Sequence, residues 1–275
     1  MDRKQPQLGT VQETLLIPLY ARAMENRKEF PLLRDVRAEE IVAGIDYDFA
    51  RFDGLPSLTG AMLRTVLFDR WVADFLAAHP DATVVEIGTG LNTRYERLDN
   101  GRVRWFDLDL PDVIDLRRAF FADTPRRTMV AASVTDEAWA AEVASRTDGP
   151  YLLVAEAVLP YLYESDVRRV VDLLSDRFPG SLLALDTAGP GFFDTQEEHD
   201  ALSKVAARMH WCCPDLAGLD AWRPGVHVLA SHTLTSLPHP LVDELPAPYQ
   251  ERLSVLAAQR LPQAEGYRLN LLRLP

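Results

Sequence analysis

Apolar residues fall along this chain in two alternating rhythms. From Gly60 to His79 they recur at helical spacing, with Leu63, Leu67, Trp71 and Phe75 at every fourth position and Pro80 closing the run. That pattern predicts a long helix with one buried stripe. Short continuous apolar runs then follow at Val84 to Ile87, Val103 to Asp109, Arg127 to Ser133, Tyr151 to Ala157 and Ser181 to Thr187. Runs this short, rich in β-branched residues, suit strands buried on both faces of a parallel sheet. Helical segments separate them. Pro111 with Asp112 behind it opens one that reaches Phe121, and Val167, Val170, Val171, Leu174 and Phe178 mark another, stopped by Pro179 and Gly180. Repeated strand, turn and helix predict an α/β fold with helices on both faces of the sheet.

The two ends of the chain depart from this alternation. Leu15, Leu16, Leu19 and Met24, then Ile41, Ile45 and Phe49, predict two helices before the first strand, so residues 1–60 read as a helical cap on a main domain, 61–275. After the fifth strand a glycine-rich loop runs into a helix start at Thr195, and residues 195–224 are irregular and aromatic, as suits a flap over a pocket. Gly225 to Leu234 and Tyr267 to Leu274 read as a final antiparallel pair with Leu245 to Gln259 helical between them, which brings the sheet to seven strands.

The first strand carries the candidate chemistry. It runs directly into a turn as VVEIGTGLNTR, residues 84–94. Gly88 and Gly90 let the backbone turn sharply and approach a ligand closely. The position a pyrophosphate-binding turn reserves for a third small residue holds Thr93, which argues against a dinucleotide. Asp109 ends the second strand about 20 residues on, where a carboxylate meets ribose hydroxyls. Glu86 adds an anion that suits a cationic nucleoside such as S-adenosylmethionine and repels phosphates. A simple tight turn is the competing reading of the two glycines alone.

Other candidates surround this turn. Leu91 to Arg97 can open a helix whose N-terminal amides point at the ligand. Ser133 and Val134 stand where an adenine ring would sit, or at a plain strand end. Glu156 arrives at the end of the fourth strand, beside the first where strand order commonly reverses, so Glu86, Gly88, Asp109 and Glu156 converge on one crevice; alternatively Glu156 caps a helix or meets an arginine. Tyr161 would border the reacting centre. Arg64, in the first turns of the long helix, is either a surface arginine or a guanidinium gripping a carboxylate. Tyr20, Arg22, Tyr47 and Arg51 of the cap and Arg208, His210 and Trp211 of the flap are candidate substrate contacts, each also explicable by packing or solvation.

Composition narrows the partners. The 275 residues are 47% hydrophobic and 25% charged, as in an ordinary globular protein, and a net charge of −12 gives no long-range attraction to nucleic acid or an anionic membrane. The two cysteines, Cys212 and Cys213, are adjacent, which excludes a disulfide framework and a zinc site of cysteines and suits a reducing cytoplasm. No apolar run reaches the roughly 18 residues of a membrane span.

These stretches together carry a resemblance. The run MLRTVLFDRWVADFLAAHPDATVVEIGTGLNTRYERLDNGRVRWFDLDLPDVIDLRR, then MVAASVTDEAW, AEAVLPYLYE, RFPGSLLALDT and WCCPD with Trp222, resembles class I S-adenosylmethionine-dependent methyltransferases of the leucine carboxyl methyltransferase family. Within it the chain looks most similar to the bacterial carboxyl O-methyltransferases of aromatic polyketide biosynthesis, the tetracenomycin type. The resemblance implies a Rossmann-like sheet and S-adenosylmethionine as cofactor. It implies that Arg64 holds the methionine carboxylate, Gly88 lies along the methionine, Asp109 takes the ribose hydroxyls, Ser133 and Val134 frame the adenine, and Glu156 meets the amino end. Ser133 stands where the family often has aspartate, and Glu86 with Asn92 replaces a common asparagine and aspartate.

The expected activity is methylation of a carboxylate on a small-molecule acid, by in-line displacement and without metal. A carboxylate is ionised at neutral pH and needs positioning donors only; a phenol would need a base, for which His210 is the candidate. A peptide C-terminus as acceptor, or a cofactor-binding partner without turnover, are the other readings. Oligomeric state is open.

Overall fold

The computed structural model describes residues 3–275. Strand β1 (Thr83–Ile87) is buried at every position, and alternate side chains feed two different cores: Val84 packs with residues on one face of the sheet and Val85 with residues on the other. Such double burial is why the strand reads as a continuous apolar run. It pairs in parallel with β2 (Arg104–Asp109) on one side and β4 (Tyr151–Ala155) on the other, and β3 (Arg127–Ala131) and β5 (Leu182–Ala188) extend the parallel set. The last two strands, β6 (His227–Thr233) and β7 (Tyr267–Arg273), form the antiparallel pair, with β7 inserted between β5 and β6. The resulting order is β3-β2-β1-β4-β5-β7-β6. Chain direction away from β1 reverses between β1 and β4, which opens a crevice at their carboxyl ends.

Helices cover both faces. On one lie α1 (Leu16–Glu25), α2 (Val36–Gly44) and the long α3 (Ser57–Ala78); Leu16, Leu19 and Ile41 share a core with Leu67, Phe68 and Val72 of α3 and with Val84, Trp105 and Leu152 of the sheet. Two short helices follow β1 and β2, α4 (Arg94–Leu98) and α5 (Pro111–Arg117). On the opposite face α6 (Glu137–Arg146) and α7 (Glu164–Arg177) bury Trp139, Val143, Val167, Val170 and Leu174 against Val85, Phe106 and Leu153.

Several boundaries differ from the sequence reading. Leu91 to Thr93 form a turn and α4 begins only at Arg94, because Gly90 holds a left-handed conformation (φ +49°) and the Thr93 hydroxyl bonds Asp35 of the cap. Helix α6 carries too few apolar positions, Trp139, Ala140 and Val143, for a helical stripe to stand out in the sequence. Thr195 starts no helix: the short α8 (Pro190–Phe193) ends before it and the chain continues in turns, then a single 3-10 turn (Leu202–Lys204) and α9 (Ala217–Trp222). Between β6 and β7 three helices stand where one was expected, α10 (His239–Glu244), α11 (Ala247–Gln259) and α12 (Pro262–Gly266), each opened by proline at or near its first turn. Among the described residues no helix is long and apolar enough to cross a membrane.

Candidate active site

The turn after β1 is built from glycine geometry. Gly88 holds φ +62°, and a Cβ there would lie 2.3 Å from Val158 Cγ2, so no side chain fits. Gly90 donates its N–H to Asp109 Oδ2 at 2.7 Å, and its carbonyl accepts from Arg117 Nη1 at 2.8 Å. Arg117 is fixed in turn by Asp107 at 3.1 Å, inside β2. The second strand therefore holds the turn open through two carboxylates. Asp109 Oδ1 also accepts from the Leu110 N–H at 2.8 Å. Burial raises the Asp109 pKa to about 6, although these two N–H bonds pull it down.

Beside the turn lies a buried charge cluster. Arg94, wholly buried at the first position of α4, donates to Asp69 Oδ1 at 2.7 Å, to Glu86 Oε1 at 2.6 Å and to Glu156 Oε2. Glu156 Oε1 accepts from Arg64 Nε at 2.9 Å and from the Thr65 hydroxyl at 3.0 Å. Burial alone would raise the Glu156 pKa, but Arg94 and Arg64 hold it down to about 2. Glu86 goes the other way: burial outweighs Arg94 and lifts it to about 7. Its Oε1 also accepts from Asn92 Nδ2 at 2.8 Å, whereas Oε2 is buried without a partner. A buried acceptor in that state is waiting for a donor.

Arg64 also donates to the Tyr267 hydroxyl at 3.2 Å, and that hydroxyl donates to Asp186 Oδ2 at 2.7 Å. Asp186 accepts the Ala157 N–H as well, at 2.9 and 3.0 Å, and so anchors the loop after β4, where Ala157 adopts φ +57°. Asp186 is thus part of the scaffold beneath Arg64.

One cavity of about 1110 Å³ brings these parts together. Arg64, Glu86, Gly88, Gly90, Asp109, Ser133, Val134 and Glu156 all line it, as do Tyr161 and Arg22. Arg22 is buried, paired with Asp35 at 3.0 Å and donating to the Leu91 carbonyl at 2.8 Å, so it braces the glycine turn from the cap. Phe192, Leu202, Met209, Leu234, Leu253 and Leu256 add apolar wall, interspersed with Glu198, His199, Asp200, Glu251 and Arg252. The volume lies just above the roughly 300–1,000 Å³ of ordinary ligand sites.

Six expected contacts stand away from this cavity. Tyr20 packs on Phe49 and donates to Asp53. Tyr47 donates to Glu13 at 2.6 Å, and Arg51 donates to the Tyr47 hydroxyl while reaching the Lys204 carbonyl, so Arg51 ties the residues before α3 to the segment after α8. Arg208 caps backbone carbonyls of its own loop, at 2.9 Å for Val205 and 2.8 Å for Ala207. His210 is exposed and stacked on Tyr163 at 4.4 Å, and Trp211 is buried in the core against Trp222. Sequence reasoning missed Arg94 and Asp69 in the charge cluster, the α11 wall, and His199, which lines the cavity from the turn after α8. An arginine directly after the glycine turn and close to Glu86 was the available signal for the first. Among the described residues no group of metal-ligating side chains is assembled.

A profile of the family described as leucine carboxyl methyltransferase matches residues 16–175. The chain belongs to that family. It is 35% identical over 221 residues, covering 80% of this chain and 81% of the relative, to the tetracenomycin polyketide synthesis O-methyltransferase TcmP of Streptomyces glaucescens. A solved structure of a candidate methyltransferase from Thermobifida fusca superposes with a TM-score of 0.61 at 18% identity, covering 94% of each chain. An S-adenosylmethionine-dependent methyltransferase from Anabaena variabilis gives 0.52 at 12% identity, over 100% of this chain and 99% of its own. The sheet is thus the Rossmann-like sheet of S-adenosylmethionine-dependent methyltransferases, and this leucine carboxyl methyltransferase family member is an O-methyltransferase that uses that cofactor. Its residues fit the group: the unpartnered Glu86 Oε2 suits an ammonium, and Gly88 leaves backbone where a side chain would intrude.

Proposed function

We propose that the enzyme methylates the carboxylate of a small, largely apolar aromatic acid of polyketide type. The observation that carries this reading is a single cavity whose wall is largely apolar and that also presents Glu86, Asp109 and Arg64. Likeness to a polyketide O-methyltransferase over 80% of the chain supports the same substrate class.

When bound, S-adenosylmethionine supplies an electrophilic methyl group on a sulfonium. Glu86 Oε2 would meet its ammonium and Arg64 its carboxylate. Asp109, with lone pairs left over from its two N–H bonds, would accept from the ribose hydroxyls, and Ser133 with Val134 would border the adenine. Glu156 would orient Arg64 and Arg94 and leave the ammonium to Glu86, since its oxygens already accept from both arginines. Displacement in line needs alignment and exclusion of water more than proton transfer. Burial raises the Tyr161 pKa to about 12, so its hydroxyl donates and does not abstract. A carboxylate needs only such donors.

The test is transfer of labelled methyl from S-adenosylmethionine to a panel of polycyclic aromatic acids and phenols, followed by mild base. Label on acids that base releases is the expected result, and a base-stable product on phenols alone would overturn the proposal.

A further inference from the structure

His199 reaches the cavity and is held there in a defined state. Its Nδ1 accepts from the Leu202 N–H at 3.2 Å and shares the Ala201 N–H, at 3.3 Å, with Asp200 Oδ1 at 2.7 Å; that carboxylate oxygen itself stands 3.4 Å from Nδ1, farther than either N–H donor. An imidazole nitrogen that accepts N–H bonds carries a lone pair, so the neutral ring's proton sits on Nε2. Nε2 has no partner among the described residues. The ring packs on Phe192 at 5.3 Å, and Phe192 packs on Tyr267 at 4.9 Å, the tyrosine to which Arg64 donates. His199 therefore lines the cavity two ring contacts away from Tyr267, without itself touching Arg64.

We propose that His199 is a positioning and specificity residue whose Nε2–H donates to the acceptor carboxylate of the substrate. The assignment rests on the carboxyl methyltransferase reading above. A ring with Nδ1 engaged and Nε2 protonated offers no lone pair toward the substrate, so it cannot take a phenol's proton. It selects acceptors that arrive ionised. Burial keeps the ring below the ordinary imidazole pKa, with Asp200 raising it and Arg64 lowering it, so the neutral tautomer is the resting state at neutral pH.

The experiment measures binding of 2-naphthoate and 2-naphthol, by their fluorescence, to wild type, H199A and H199Q saturated with S-adenosylhomocysteine, together with labelled-methyl transfer to each probe. Affinity for S-adenosylhomocysteine itself, which should not change, reports that the variants are folded. Wild type is expected to favour naphthoate by about tenfold or more, as for a hydrogen bond to a charged group. H199A should lose that preference and H199Q, whose amide N–H can stand near the lost Nε2–H, should recover most of it. Equal preference in wild type and H199A overturns the role of His199 and leaves the carboxylate reading intact. No preference in wild type overturns the carboxylate reading, and His199 with it. Transfer to naphthol that both variants abolish would make His199 a base and overturn the proposal.

Discussion

Glu86 Oε1 accepts from Arg94 Nη1 at 2.6 Å, while Oε2 of the same buried carboxylate meets no partner among the described residues. Burial lifts this group from the ordinary 4.5 to about 7. Without cofactor, its contribution to stability is complete below pH 4.5 and is lost as pH rises through 7. A bound ammonium favours the ionised form and expels the proton. Affinity for S-adenosylhomocysteine should therefore rise about tenfold between pH 6 and pH 8, and E86Q should flatten the rise. Calorimetry at both pH values decides it; a wild-type affinity that does not change removes Glu86 from the ammonium site.

Asp109 serves the turn and the ligand together, since its oxygens accept from Gly90 and Leu110 and face the cavity. D109A should weaken S-adenosylhomocysteine binding by about tenfold to a hundredfold, the range for a lost hydrogen bond to a charged group. D109N, which keeps one carbonyl acceptor, should fall between. Calorimetric binding with circular dichroism as a fold control checks both, and a D109A affinity equal to wild type would exclude the ribose contact.

Gly88 faces two separate constraints, a left-handed backbone and the Val158 side chain. G88A should cost about 2 kcal/mol of stability from backbone strain and displace the turn, so cofactor binding should fall as well. Adding V158A relieves the contact but not the strain. Partial recovery of binding in the double variant is the expected result of denaturation and binding measurements, and full recovery would show that φ imposes no cost.

What the sequence made legible was local. Gly88, Gly90 and Asp109 follow from a strand, a turn and the next strand's end, all set by short-range pattern. Contacts such as Arg94 with Glu156, 62 residues apart, depend on which strands become neighbours. Polarity alone could not separate His199 from His210 in one irregular segment, because one ring turns into the cavity and the other stacks outside on Tyr163. Trp211 looked like a substrate contact and is core, since an aromatic residue serves either purpose. The apolar residues of α11 announced burial, but not that a void lay beneath them.

His210 gives a sharp negative expectation. It lies outside the cavity, and its backbone N–H, not its ring, ties the flap to the Pro160 carbonyl at 2.8 Å. H210A should change turnover by less than about twofold, whereas removal of a general base costs about a hundredfold or more. Steady-state kinetics on any accepted acid separates the two, and a hundredfold loss in kcat would restore His210 as the base.

Glu156 holds two buried guanidinium groups, Arg64 at 2.9 Å and Arg94, and they depress its pKa from 4.5 to about 2. A depressed carboxylate contributes stability that is complete above its unfolded pKa and is lost as pH falls through the folded one. E156Q keeps the shape but leaves both arginines short of a counter-charge; Arg94 retains Glu86 and Asp69, and Arg64 retains Asp186 at 3.7 Å. The variant should lose about 3 kcal/mol at pH 7, and the gap to wild type should shrink to about half by pH 3. Urea denaturation of both proteins at pH 7, 4 and 3 measures the gap directly. A gap that stays constant with pH would mean that packing, and not the ion pairs, is what the substitution removes.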